Sequence, residues 1–259
     1  MRIAFLIFVL ATSGTAYAQT PPTLEQAIAT CIGAYVSNGT CDPESLASCI
    51  RAEMVSREVT SYDKTLTVNG KTWKVVVGAS ATSGNSAGGN APATATADGG
   101  VIAIGGSGSG TGNGGTATAT NNGTGAAISV GGNGGNAAAN PGQGGAATAS
   151  SCSGSSAARG GQGGSGQTSG GRGGDARADT GSPTDSICAH GGLGGDPVTN
   201  TAAGGQGGTG RGSTPSAGAG PVTGANGSAG TPGKHGGGGR VTGSGVSLRT
   251  AHDSSPDNS

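Results

Sequence analysis

The sequence predicts a small α+β unit, an αα-hairpin plus a β-hairpin, followed by a glycine-rich body of the polyglycine II bundle type. Three observations carry this reading. The unit GGxGG recurs, with Asn133, Gln162, Arg172, Leu193 and Gln206 at its centre. Its period of three fits neither an α-helix nor a strand, but it fits an extended helix of three residues per turn. Beyond Gly78 the large aliphatic residues are few, and no aromatic residue follows Trp73.

Residues 1–18 read as a secretory signal peptide. Arg2 supplies the charge, Ile3 to Ala11 the apolar run, and Ala16-Tyr17-Ala18 the small-x-small cleavage rule, placing the cut before Gln19. The apolar run is too short to span a bilayer, and no later segment reads as membrane-spanning. The expected compartment is therefore secreted: extracellular or cell surface, or the periplasm if the source is bacterial. Disulfides are permitted there.

Residues 19–78 form the predicted α+β unit. Thr23 and Gln26 make a capping box ahead of the stripe Leu24, Ile28, Cys31, Tyr35. Asp42 caps a second helix with Pro43 in its first turn, and its stripe is Leu46, Cys49, Ile50, Met54. Asn69-Gly70 between two alternating runs signals a tight hairpin, with Leu66 opposite Trp73. Trp73 is the expected core of this unit.

Cys31 and Cys49 lie on apolar stripes, so a Cys31–Cys49 bridge is the economical pairing, and Cys31–Cys41 is its rival. Cys152 and Cys188 bracket two GGxGG units. If bonded to each other they would close a long loop, worth roughly 4 kcal/mol in the chain-entropy model; the alternative is that each pairs elsewhere or stays free. The chain has five cysteines, so one N-terminal cysteine is left over, to stand as a free thiol, a link to the tract or a link to another molecule.

Residues 79–249 are the glycine-rich repeat region and 250–259 a disordered tail. A body without apolar bulk needs its backbone amides to bond to neighbouring segments, and disorder is the alternative outcome, with β-rich forms a third. Alternating runs such as Thr116-Ala117-Thr118-Ala119-Thr120 favour close-packed extended segments.

Composition excludes several classes. With 10% charged and 2% aromatic residues there is neither a basic patch nor a stacking platform, so no nucleic-acid partner is expected. His190, His235 and His252 have no ligand at metal spacing, and no carboxylate pair stands out for acid–base work. Gly191 to Thr199 fits the calcium nonapeptide GGxGxDxUx and Gly170 to Asp175 makes a partial copy of its first six positions, but the two are isolated and lack the consecutive repeats that chemistry needs. Catalytic, cofactor and metal residues are thus read as none, and an enzyme is the least expected class.

At the GGxGG units the tract resembles the repeat region of mycobacterial PE-PGRS surface proteins and the polyglycine II bundle of tail-fibre-tip adhesins of T-even-like phages. More faintly it is similar to springtail glycine-rich antifreeze proteins. The resemblance is compositional, covers the tract alone and transfers no functional residue. The sequence-based expectation is a secreted, non-enzymatic, adhesin- or matrix-like protein. Its partner would be a surface glycan or protein, or a second copy of the chain. Ice binding through Ala/Thr rows is the first alternative, and a disordered secreted spacer is the second.

Overall fold

The computed structural model describes residues 21–36, 42–182, 185–199, 202–213, 228–232 and 234–243. The predicted signal peptide and the tail fall outside them. Two helices come first, α1 (Leu24–Val36) and α2 (Pro43–Val55). The strands are β1 (Tyr62–Val68), β2 (Lys71–Val77), β3 (Ala91–Ala95), β4 (Gly100–Ile104), β5 (Ala117–Asn121) and β6 (Ala126–Val130). They continue with β7 (Ala147–Ser151), β8 (Ser156–Arg159), β9 (Ala176–Thr180), β10 (Ile187–His190), β11 (Gly210–Ser213) and β12 (Arg240–Gly243).

Among the described residues the glycine-rich body is a parallel β-solenoid of about 4 turns, not a polyglycine II bundle and not a disordered tract. Each turn lays one strand in a five-stranded sheet B, ordered β11-β9-β7-β5-β3, and one in a seven-stranded sheet A, ordered β1-β2-β4-β6-β8-β10-β12. Sheet B is parallel throughout. Sheet A is parallel from β2 to β10 and closed at both ends by antiparallel strands, β1 and β12.

Period two overrides period three in the Ala/Thr runs. Alternation places alanine on one face of a strand and hydroxyl residues on the other. Ala91, Ala117, Ala147 and Ala176 stack in one register column, and Ala93, Ala119, Ala149 and Ala178 in the next. All eight are buried against Val101, Ala103, Ala127, Ala158 and Ala189 of sheet A. The core between the sheets is thus built almost wholly of methyl groups, which explains why so little aliphatic bulk suffices.

The GGxGG units are the arms that leave sheet A and return to sheet B. Their amides bond across turns in a continuous zigzag that runs from Gly89 through Gly106, Gly115, Gly132, Gly145, Gly161, Gly174, Gly192 and Gly208 to Gly239, at 2.8–2.9 Å. A second zigzag, three residues further out, includes Gly112, Gly135, Gly142, Gly164, Gly171, Gly195, Gly205 and Gly236. Side chains are excluded from these positions. A Cβ on Gly132 would lie 1.9 Å from the carbonyl oxygen of Gly106. Asparagines add rungs: Asn90 Oδ1 accepts from Thr116 N–H, 26 residues on, and Asn113 Oδ1 from Gln143 N–H, 30 residues on.

The expected N-terminal α+β unit is likewise corrected. The helices and the β1–β2 hairpin are present, yet they serve as a cap continuous with the solenoid. The capping box forms, Thr23 N–H donating to Gln26 Oε1 and Gln26 N–H to Thr23 Oγ1, and Asp42 caps α2 through Ser45 N–H. The hairpin has the register Leu66↔Trp73 and Val68↔Lys71. β2 then pairs in parallel with β4, and one hydrophobic cluster joins Ile28, Leu46, Ile50 and Trp73 to Ile102, Ile104, Ile128 and Val130 of the solenoid. Arg51 pins α2 over the first two turns, donating from Nη2 to Gly105 O at 2.8 Å and Gly131 O at 3.3 Å. Burial holds its pKa below the usual guanidinium value, with Glu44 opposing that shift. Glu44 also pairs with Arg159 at 2.6 Å.

Sheet B ends on β3, where Pro92 sits at a position whose N–H would face the open edge. Ala91 donates to Thr116 O and Ala95 O accepts from Asn122 N–H, so the bonds to the neighbouring segment avoid the proline nitrogen. The proline therefore removes an exposed donor without breaking the ladder, which blunts edge-to-edge pairing.

Two substitutions test this account. Ser129 Oγ is buried without a hydrogen-bond partner, so Ser129→Ala should raise stability by about 1 kcal/mol. Gly132→Ala should lower it by about 3 kcal/mol or more, because backbone must move. Denaturant unfolding of both variants reads the two signs.

Candidate functional site

The two broad sides of the solenoid differ. The cap helices cover much of the outer face of sheet A, where Ile128 and Val130 meet α2. No described element covers the outer face of sheet B. Register stacks Pro92, Thr118, Thr148, Arg177 and Arg211 in one outward column, and Thr94, Thr120, Ser150, Asp179 and Ser213 in its neighbour. The residues one place before these strands continue the face with Asn90, Thr116, Ala146, Asp175 and Thr209. Strand spacing sets an axial repeat of about 4.8 Å, and alternate residues along a strand repeat at roughly 6.6 Å.

This face has two zones. Its first three rungs carry hydroxyls, amides, methyls and one proline, with no charge. The fourth rung reads Arg172, Asp175, Arg177, Asp179 and neutralises itself. Arg172 pairs with Asp175 at 2.6 Å and Arg177 with Asp179 at 2.5 Å. Burial pushes the Asp175 carboxyl upward, but the Thr209 N–H, Arg172 and the Thr209 hydroxyl outweigh it and hold the group below the ordinary carboxylate range. The fifth rung ties back through Thr209 N–H to Asp175 at 2.8 Å and Ser213 Oγ to Asp179 at 2.6 Å.

A second feature lies at the turn end of the solenoid. A cleft of about 660 Å³ opens between the cap and the short turns that join the sheets. Among the described residues its floor is apolar, with Ile32, Val36, Leu46, Val68, Trp73 and Ile128. Its walls carry Asp42, Lys71, Asp98 and Asp185 together with the serine- and glycine-rich turns.

The predicted disulfide candidates resolve differently from one another. Cys31 and Cys49 are joined, tying α1 to α2. The Cys152–Cys188 staple does not form. Cys152 is free and exposed on the turn after β7, whereas Cys188 is buried on β10 and held in a disulfide whose partner lies outside the described residues. Its sulfur lies 3.3 Å from His190 Nε2. The alternative, that each pairs elsewhere or stays free, is the one realised, because loop length says nothing about which face of a strand a cysteine occupies.

Asp196, at the acidic place of the calcium-like nonapeptide, pairs with His235, and Asp175, in the partial copy, is taken by Arg172 and Thr209. Among the described residues no group of three or more His, Cys, Asp or Glu side chains could hold a metal ion. No described helix is long and apolar enough to cross a membrane. His252 lies outside the described residues.

No family model matches the chain, and no curated protein matches it. The resemblance to PE-PGRS repeat regions or phage tail-fibre tips thus finds no support. Among solved structures the chain is similar to the springtail antifreeze protein of Granisotoma rainieri, a bundle of nine polyproline type II helices. The identity is 23% over 66% of this chain and 93% of that one, with a TM-score of 0.19. At that score the likeness carries no argument about fold or function.

Non-reducing peptide mapping should recover Cys31 linked to Cys49 and Cys152 as the thiol that alkylates without reduction. Recovery of a Cys152–Cys188 peptide would contradict the arrangement.

Proposed function

We propose that the protein is exported and acts as a non-enzymatic structural or surface-binding protein, of the adhesin or matrix type, with the uncovered side of sheet B as its working face. One observation carries this reading: a regular, uncharged array of Thr94, Thr118, Thr120, Thr148 and Ser150 stands on the side that no described helix covers. A ligand meeting that array would itself be uncharged, since nothing on the first three rungs would pair with a fixed charge. A glycan or protein surface of that kind is the proposed partner.

A second reading is ice binding, favoured by the same threonine columns. Hydroxyls at a fixed two-dimensional spacing, separated by methyl groups, form a regular and weakly hydrated plane of the sort an ice lattice could adopt. The charged fourth rung limits that plane to three rungs.

The two readings separate in one set of measurements. Protein collected from the culture medium should begin at Gln19. Its binding to arrayed glycans and to intact cells should fall at least about tenfold in a Thr118→Arg/Thr148→Arg double variant whose circular dichroism is unchanged. Unaltered binding would reject sheet B as the working face. Freezing hysteresis and inhibition of ice recrystallisation, lost in the same variant, would instead identify ice as the ligand, and their absence in the parent protein removes that reading.

A further inference from the structure

Cys188 is bonded through its sulfur to a second cysteine. The chain carries five in all, Cys31, Cys41, Cys49, Cys152 and Cys188. Cys31 and Cys49 are joined to each other, and Cys152 is a free, exposed thiol. Elimination leaves Cys41. It lies outside the described residues, but its neighbour in the chain, Asp42, lies within them.

Three observations bring the start of α2 to the neighbourhood of Cys188. Asp42, Pro43 and Cys188 line the same cleft. Alternation along β10 sets Ile187 and Ala189 in the methyl core between the sheets, so Cys188 takes the opposite face, the one the cap occupies. In register, Cys188 follows Ile128 and Ala157 across sheet A, and Ile128 belongs to the cluster beneath the cap helices. The first turn of α2 also reaches that part of the sheet. Glu44 pairs with Arg159 at 2.6 Å, and Arg159 stands beside His190 of β10. Consecutive Cα atoms lie about 3.8 Å apart, and a disulfide spans a Cα–Cα distance of about 4.4–6.8 Å. The chain entering α2 at Asp42 is thus placed to reach β10.

We propose that Cys41 and Cys188 form a disulfide that latches the cap to the fourth turn of the solenoid. The bridge is made by thiol–disulfide exchange with a disulfide donor, either a small molecule or a thiol oxidoreductase. The Sγ–Sγ bond forms and the donor's S–S bond breaks. The two cysteine sulfurs are oxidised, and the donor leaves as two thiols carrying both electrons and both protons. The strands from β4 to β10 then lie between two covalent attachments to the cap, the chain itself at one end and the bridge at the other. Strands β11 and β12 follow the bridge in the chain and are not enclosed by it. The proposal does not depend on the sheet B face or on its ligand.

Peptide mapping tests the pairing. Trypsin leaves Cys31, Cys41 and Cys49 on one peptide ending at Arg51, Cys152 on 75–159 and Cys188 on 178–211. After the full chain is oxidised with glutathione disulfide and digested without reductant, the first and third peptides should appear joined, with Cys152 alkylated. Fragmentation of the joined species on either side of Cys41 should place the bond at that residue in the parent protein, without any variant. In Cys41→Ser the joined species should vanish and Cys188 should alkylate without reduction. In the Cys41→Ser/Cys188→Ser variant, amide exchange at β8 and β10 should be at least about tenfold faster than in the parent, with the β1–β2 hairpin unchanged. Peptide 178–211 recovered alone or joined to 75–159, a joined species that persists in Cys41→Ser, or unaltered exchange at β10 would overturn the latch.

Discussion

The amide-to-amide zigzag along the glycine arms is the constraint on which the rest of the structure depends. Along it each glycine arm donates to the arm before it in the chain and accepts from the arm after, through backbone alone. The close approach this needs is open only to residues without a Cβ, as the 1.9 Å separation at Gly132 makes plain. A buried amide without a partner is costly, and glycine loses more freedom than any other residue on folding. The repeated bonds and the methyl-lined interior offset that loss without bulky side chains.

Because the scaffold holds itself through backbone, its outward positions are released from structural duty. The first three rungs of sheet B use that freedom to display neutral polar groups, whereas the fourth devotes it to two internal ion pairs. The other broad side goes to the cap, where Arg51 reaches the carbonyls of Gly105 and Gly131 and most of the large apolar residues gather. The cleft is a by-product of that asymmetry: it forms where a bulky, helical cap meets turns made of glycine and serine.

Local signals were legible and their assembly was not. The capping box at Thr23 and Gln26, the Asp42 cap and the Asn69-Gly70 hairpin each depend on neighbours a few residues away, and each could be read in the sequence. The period of three in GGxGG was also real, since bonded glycines recur three apart at Gly132 and Gly135 and at Gly161 and Gly164. It described the arms and not the whole body. The Ala-Thr alternation at Thr116 to Thr120 carried the deciding information, a period of two in strands, but five-residue strands between long glycine runs give that signal little weight. Stacking Thr118 on Thr148 needs the register between turns, which unequal spacings of 26 and 30 residues conceal. The same ignorance of facing sides made Cys152 and Cys188 look like partners. The cleft left no mark in the sequence at all, because Trp73, Asp98 and Asp185 come from three separate segments.

The concentration of bulk at one end has a consequence for how the chain acquires its shape. In a stack where each layer touches only its neighbours, order spreads from wherever the first layer is most easily nucleated. Among the described residues that place is the helical end, where there is enough greasy surface to condense unaided. Successive coils would be templated from it in the direction of synthesis, and the far coils, with little but amides to hold them, would be the first to unravel.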